Sequence, residues 1–178
     1  MMQELLYTPL DIAIIVYSME LGCRAESAMI DSIWTGETAF LPSKYRNNQR
    51  RFILDVRYWL DYLYDKPILD KEFPAIQRDA ALTNGVLTAE QFVSDFSELD
   101  LFFKSIRIRI LYNSEKHYAR VKLRTLLRAY GYQRRSKQLL EHINLCLSFY
   151  HLETALRGGT PCRIEDVGLD DMLVFRVV

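Results

Sequence analysis

LRTLLRAYGYQRRS, residues 123–136, reads as a short helix from Leu123 to Tyr130 closed by Gly131, then a polar turn ending in a serine suited to cap another helix. That next helix is predicted from Ser136 to about Tyr150, where Leu139, Leu140, Ile143, Leu147 and Tyr150 recur at helical spacing. Two helices therefore flank a tight turn. On the N-terminal side, Ser105 to Ile110 contains Ile-Arg-Ile-Arg-Ile, a period-two alternation that predicts a strand with one wet, basic face, a helix tail being the alternative. On the C-terminal side, Gly158-Gly159-Thr160-Pro161 and Gly168 break the chain. The β-branched run Met172 to Val178 is then predicted as a strand pairing with Leu152 to Arg157.

Upstream the pattern is helical. Ile12, Ile15, Val16 and Met19 mark a helix over Pro9–Leu21, with Thr8 as N-cap, Pro9 at its first position and Gly22 past its end. A weaker helix covers Ala25–Trp34, with Ala25, Ala28, Met29 and Ile33 on one side and Gly36 as its stop; residues 36–42 read as a loop. Phe52, Val56, Trp59, Leu60 and Leu63 form the stripe of a helix from Asn47 to Tyr64, and Pro67 limits its continuation. Tyr58, Tyr62 and Asp65 lie on another face of it, so this helix is expected to be covered twice, once by the core and once by a partner. Beyond it, Pro67 to Asn84 holds a helical patch at Ala75–Leu82, and Thr88-Ala89-Glu90-Gln91 reads as a capping box opening a long helix through Phe92, Phe96, Leu99 and Phe103.

Charge is balanced overall and uneven along the chain. The 178 residues include 23 Lys and Arg against 23 Asp and Glu, with 49% hydrophobic residues, which excludes disorder and whole-molecule attraction to polyanions. Residues 101–140 nevertheless carry eleven basic side chains against the single acid Glu115, interleaved with Tyr112, Tyr118, Tyr130 and Tyr132. A local surplus of this kind is what phosphate backbones select, because each neutralised phosphate releases condensed counterions. Pairing of the stripe with acidic segments of the same chain or of another subunit is the competing reading.

The order strand, helix, tight turn, helix, strand, glycine-containing loop, strand over residues 105–178 resembles small winged helix-turn-helix modules of bacterial mobile-element and defence proteins. The resemblance covers about 40% of the chain and carries no catalytic residues. It implies that Arg134, Arg135, Ser136, Lys137 and Gln138 start a recognition helix, with His142 and Asn144 further along its exposed side. Two features depart from a DNA reader: Glu141 lies within the reading face, and the wing carries Glu165, Asp166, Asp170 and Asp171.

Little in the sequence suggests chemistry. His142 and Cys146 share helical spacing, but Cys146 lies among Leu145, Leu147 and Phe149 and reads as a buried thiol, so neither a metal nor a cofactor is expected. Scattered carboxylates such as Glu141, Glu153, Asp170 and Asp171 lack the spacing of a metal-dependent nuclease, and no phosphate-cradling glycine loop or serine nucleophile motif occurs. Cys23, Cys146 and Cys162, without CxxC spacing, and an N-terminus without a basic region point to reduced thiols and a cytoplasmic location. No apolar run reaches the length of a membrane span.

The expectation is a mainly α protein: an acidic helical domain over residues 1–104 that recruits a protein or forms a homodimer, and a basic winged-helix-like domain with a short β-hairpin over 105–178. It is read as a non-catalytic nucleic-acid-binding or adaptor subunit of a larger bacterial assembly, the nucleic acid being DNA rather than RNA. The contacts are assigned to Arg107, Arg109, Arg120, Lys122, Arg124, Arg128, Arg134, Arg135, Lys137 and Gln138. The alternative is a structural subunit whose basic stripe docks on an acidic protein surface.

Overall fold

A computed structural model describes residues 5–65 and 97–178. The predicted patch at 75–82 and the capping box at 88–91 lie outside them. The chain divides into two compact units, Met1–Leu101 and Phe102–Val178.

In the first unit, α1 (Pro9–Ser18) opens on a complete capping box: the Asp11 amide donates to Thr8 Oγ1 at 3.1 Å, and the Thr8 amide donates to the Asp11 carboxylate at 2.9 Å. Leu10 to Val16 are all buried, so α1 is the central helix of its unit rather than a one-sided surface helix. It ends earlier than predicted. Glu20 turns the chain with φ 55°, and Gly22, expected as a stop signal, is the N-cap of α2 (Cys23–Gly36). After a 3-10 turn at Thr38–Phe40 and the short α3 (Ser43–Arg46), α4 (Gln49–Asp65) packs extensively on α1. It buries Phe52, Val56, Leu60 and Leu63 as predicted, while Trp59 stays half-buried, edge-on to Tyr58 and Tyr62.

The buried face of α2 departs from the prediction. Glu26, Ile30 and Ile33 point inward, whereas Ala25 and Ala28 are exposed. A carboxylate can occupy the core because Arg57 Nη1 donates to Glu26 Oε1 at 2.5 Å, Tyr64 Oη donates to Oε2 at 2.6 Å, and the other arm of Arg57 reaches Ser27 Oγ. Burial and the bond to Glu26 push the Tyr64 phenol up to about 12. A phenol raised in the folded state above its usual value near 10 contributes stability that is complete below that value and lost as pH climbs through about 12. Alkaline unfolding of the native chain is therefore expected to steepen between these two values, and Tyr64→Phe should flatten that part of the profile.

The second unit begins within α5 (Ser97–Tyr112), which continues straight through Ile-Arg-Ile-Arg-Ile. The predicted strand at 105–110 is thus corrected to helix. Alternate residues of a helix point to nearly opposite sides, and Ile106, Ile108 and Ile110 are all buried, so this helix is enclosed on more than one side and the alternation does not mark a strand. The remaining strand of the unit is β1 (Ala119–Lys122), followed by α6 (Leu123–Ala129), α7 (Lys137–Phe149), β2 (Leu152–Leu156) and β3 (Met172–Val177). The sheet is antiparallel in the order β1-β3-β2, with Leu152 opposite Val177 and Ala119 opposite Phe175.

Gly131 at φ +79° lets the chain leave α6, and the Tyr132 amide donates back to the Leu127 carbonyl at 2.9 Å. Ser136 then caps α7, its Oγ accepting from the Leu139 amide at 3.1 Å. Leucines 123, 126, 127 and 139, with Ile143, Cys146, Leu173 and Phe175, fill the space between sheet and helices. The protein is mainly helical, with a small three-stranded antiparallel sheet near the C-terminus. Among the described residues, no helix is long and apolar enough to cross a membrane.

Candidate nucleic-acid interface

The ten residues assigned from sequence divide into two groups. Arg107, Arg109 and Arg135 are half-buried and engage acceptors within the second unit. Arg107 Nη1 donates to the Tyr150 carbonyl at 2.6 Å, and Arg109 Nε donates to Ser105 Oγ at 3.1 Å, with burial lowering the Arg109 guanidinium. Arg135 Nη1 meets the carbonyls of Ile164, Glu165 and Val167 at 2.8, 3.3 and 2.6 Å. It fastens the start of α7 to the loop between β2 and β3.

The second group gathers around β1, α6 and the turn into α7. Arg120 and Lys122 are the exposed alternate residues of β1, and Arg120 lies 5.3 Å from the centre of the Tyr118 ring. One turn apart on α6, Arg124 and Arg128 line a cavity of about 400 Å³ with Tyr132 and Gln133. Arg124 forms a fork with Asp170, Nε and Nη2 donating at 2.7 and 2.9 Å. That bond holds the Asp170 carboxyl below the usual carboxylate range, Lys122 and Arg128 adding to the effect. Arg134, Lys137 and Gln138 are exposed, and Lys137 stands 3.8 Å from Glu141 in a solvated pair.

Three acids of the β2–β3 loop are tied into the structure around it, and one of them, Asp170, is paired with a guanidinium. Glu165 accepts from Asn144 Nδ2 at 2.7 Å, Asp171 accepts from the Gly168 amide at 2.7 Å, and Asp170 is taken by Arg124. These bonds also spend Asn144, which the resemblance places among reading residues. His142 is half-buried with its Nε2 at 3.5 Å from Cys146 Sγ, and Cys146 itself is fully buried. The outer side of α7 instead shows Lys137, Gln138, Glu141, Leu145 and Ser148.

Two features were not legible. The strand that carries Arg120 and Lys122 is only four residues long, and the pairing of Arg124 with Asp170 spans 46 positions. Comparison with protein-family models, curated proteins and solved structures finds no match for this chain.

Proposed function

We propose that the protein is a non-catalytic nucleic-acid-binding subunit, with DNA as its expected target, whose second unit meets the phosphate backbone. The observation that carries this reading is the set of exposed cations Arg120, Lys122, Arg128 and Arg134. None of their charged groups forms a hydrogen bond or ion pair with a described residue, and Lys122 and Arg128 both favour the ionised form of the same carboxylate, Asp170. Arg107, Arg109 and Arg135 are left to internal roles. Backbone contact suits the patch better than base reading, since the outer side of α7 offers Glu141 and Leu145 beside Lys137 and Gln138.

Unit one supplies the protein contact in this proposal, through Leu54 and Tyr58, which stand exposed along α4. A cytoplasmic setting belongs to the proposal too, on the strength of three cysteines with no disulfide among them; a bacterial mobile-element or defence role rests on the resemblance alone. The second reading, a structural subunit docking on an acidic protein, is favoured by the acid and leucine on the face of α7.

Titrating a short mixed-sequence duplex at roughly 50 and 200 mM salt separates the two. Binding should weaken steeply with salt, and Arg128→Ala and Arg134→Ala should each make the slope of log affinity against log salt shallower by about 1. No retention of duplex or RNA at the lower salt transfers the surface to the protein-docking reading.

A further inference from the structure

We infer that Lys122, Arg124 and Arg128 form a phosphodiester-binding site whose resident anion in the free protein is the Asp170 carboxylate, which nucleic acid displaces. The inference rests on the nucleic-acid reading and adds to it how that surface is held in check. Arg124 presents two N–H groups to both oxygens of Asp170 at 2.7 and 2.9 Å, the fork by which a guanidinium takes either a carboxylate or a phosphate. Arg128 lines the same cavity as Arg124, and Lys122 is exposed at the end of β1 immediately before α6, their charges both favouring the ionised Asp170. The adjoining cavity of about 400 Å³ is on the scale of small-ligand sites and has room for one nucleotide unit against Tyr132 and Gln133. Solvent reaches the pair directly, with 73% of the Asp170 side chain and 40% of the Arg124 side chain exposed, so a competing anion needs no opening of the core.

The Asp170 side chain is also dispensable to the local fold. The Arg124 amide donates to the Leu169 carbonyl at 2.7 Å and the Leu123 amide to the Asp171 carbonyl at 3.3 Å. The turn itself is closed by Asp171, which accepts from Gly168. Asp170 thus contributes a charge where the backbone already holds the shape.

Anisotropy of a labelled mixed-sequence DNA duplex with the full chain, from roughly 50 to 200 mM salt, tests this. Asp170→Asn is expected to bind more tightly than the native chain, and Asp170→Ser should do the same by a different side chain. The salt slope of Asp170→Asn should match that of the native chain, since the same phosphates are contacted once Asp170 is displaced, so that its advantage persists over that range. Asp166→Asn makes the same change of charge in the same loop and should gain less. Arg124→Ala should cost little in the native chain and several-fold in the Asp170→Asn background, a coupling that simple charge addition does not produce.

Equal gains from the Asp170 and Asp166 variants, weaker binding by Asp170→Asn, or an equal Arg124→Ala loss in both backgrounds overturns the inference and leaves the nucleic-acid reading standing. Absence of salt-sensitive binding in every variant overturns the nucleic-acid reading, and this inference with it.

Discussion

Arg57→Ala is expected to destabilise the first unit by about 3 kcal/mol or more, since removing one partner of a buried ion pair leaves a charge without compensation. Glu26 retains only 4% of its side-chain exposure, and two of the groups that satisfy it come from α4: Arg57 Nη1 on one oxygen and the Tyr64 hydroxyl on the other. Without the guanidinium, the carboxylate must either keep its charge in the core with one donor or take up a proton, and both routes weaken the joint between α2 and α4. The figure sits at the lower end of the range for buried pairs because Arg57 keeps 33% exposure. Urea unfolding followed by tryptophan fluorescence reports this unit selectively, because the two tryptophans of the chain, Trp34 and Trp59, both lie in it. Replacing the pair together, Glu26→Met with Arg57→Leu, should recover most of the loss, as apolar groups of similar volume avoid the desolvation cost. A single Arg57→Ala within about 0.5 kcal/mol of the native chain, the scale of ordinary surface changes, contradicts a buried-pair role.

Arg135→Ala is expected to cost about 2–3 kcal/mol, the scale of charged hydrogen bonds to otherwise unsatisfied acceptors. One guanidinium nitrogen serves the carbonyls of Ile164, Glu165 and Val167, and Ile164 and Val167 are themselves buried, so the truncated site leaves acceptors facing a partly closed space. The loss should appear as faster hydrogen exchange at the β2–β3 amides, with the first unit unaffected. Its neighbour provides the contrast. Arg134 is exposed and forms no bond with a described residue, so Arg134→Ala should leave exchange unchanged and alter the salt slope of duplex binding instead. Reversed phenotypes for the two arginines refute the division of roles drawn from their geometry.

Adjacent arginines with opposite duties show where sequence reading stops. Arg134 and Arg135 have the same side chain, the same place in the turn before α7 and the same local charge, and what separates them is a loop about thirty residues further on. Arg107 and Arg109 are a second instance: their alternation with isoleucine has the period of a strand, and only the packing of Ile106, Ile108 and Ile110 around an enclosed helix explains it. Glu26 is a third, because a carboxylate on a helix reads as solvent-facing until a guanidinium and a phenol from another helix meet it.

What the order of residues determined alone is everything that short-range chemistry controls. Thr8 and Ser136 cap their helices because a hydroxyl beside free amides satisfies them locally, Gly131 stops α6 because it accepts a positive φ, and the run to Val177 becomes a strand that pairs with Leu152–Leu156. The surplus of positive charge over residues 101–140 is likewise a property of composition. Which of those charges face outward was settled only by tertiary structure. A guanidinium reaches far enough to choose between solvent and acceptors many residues away, and that choice depends on the carbonyls and carboxylates that folding brings within about 3 Å of it.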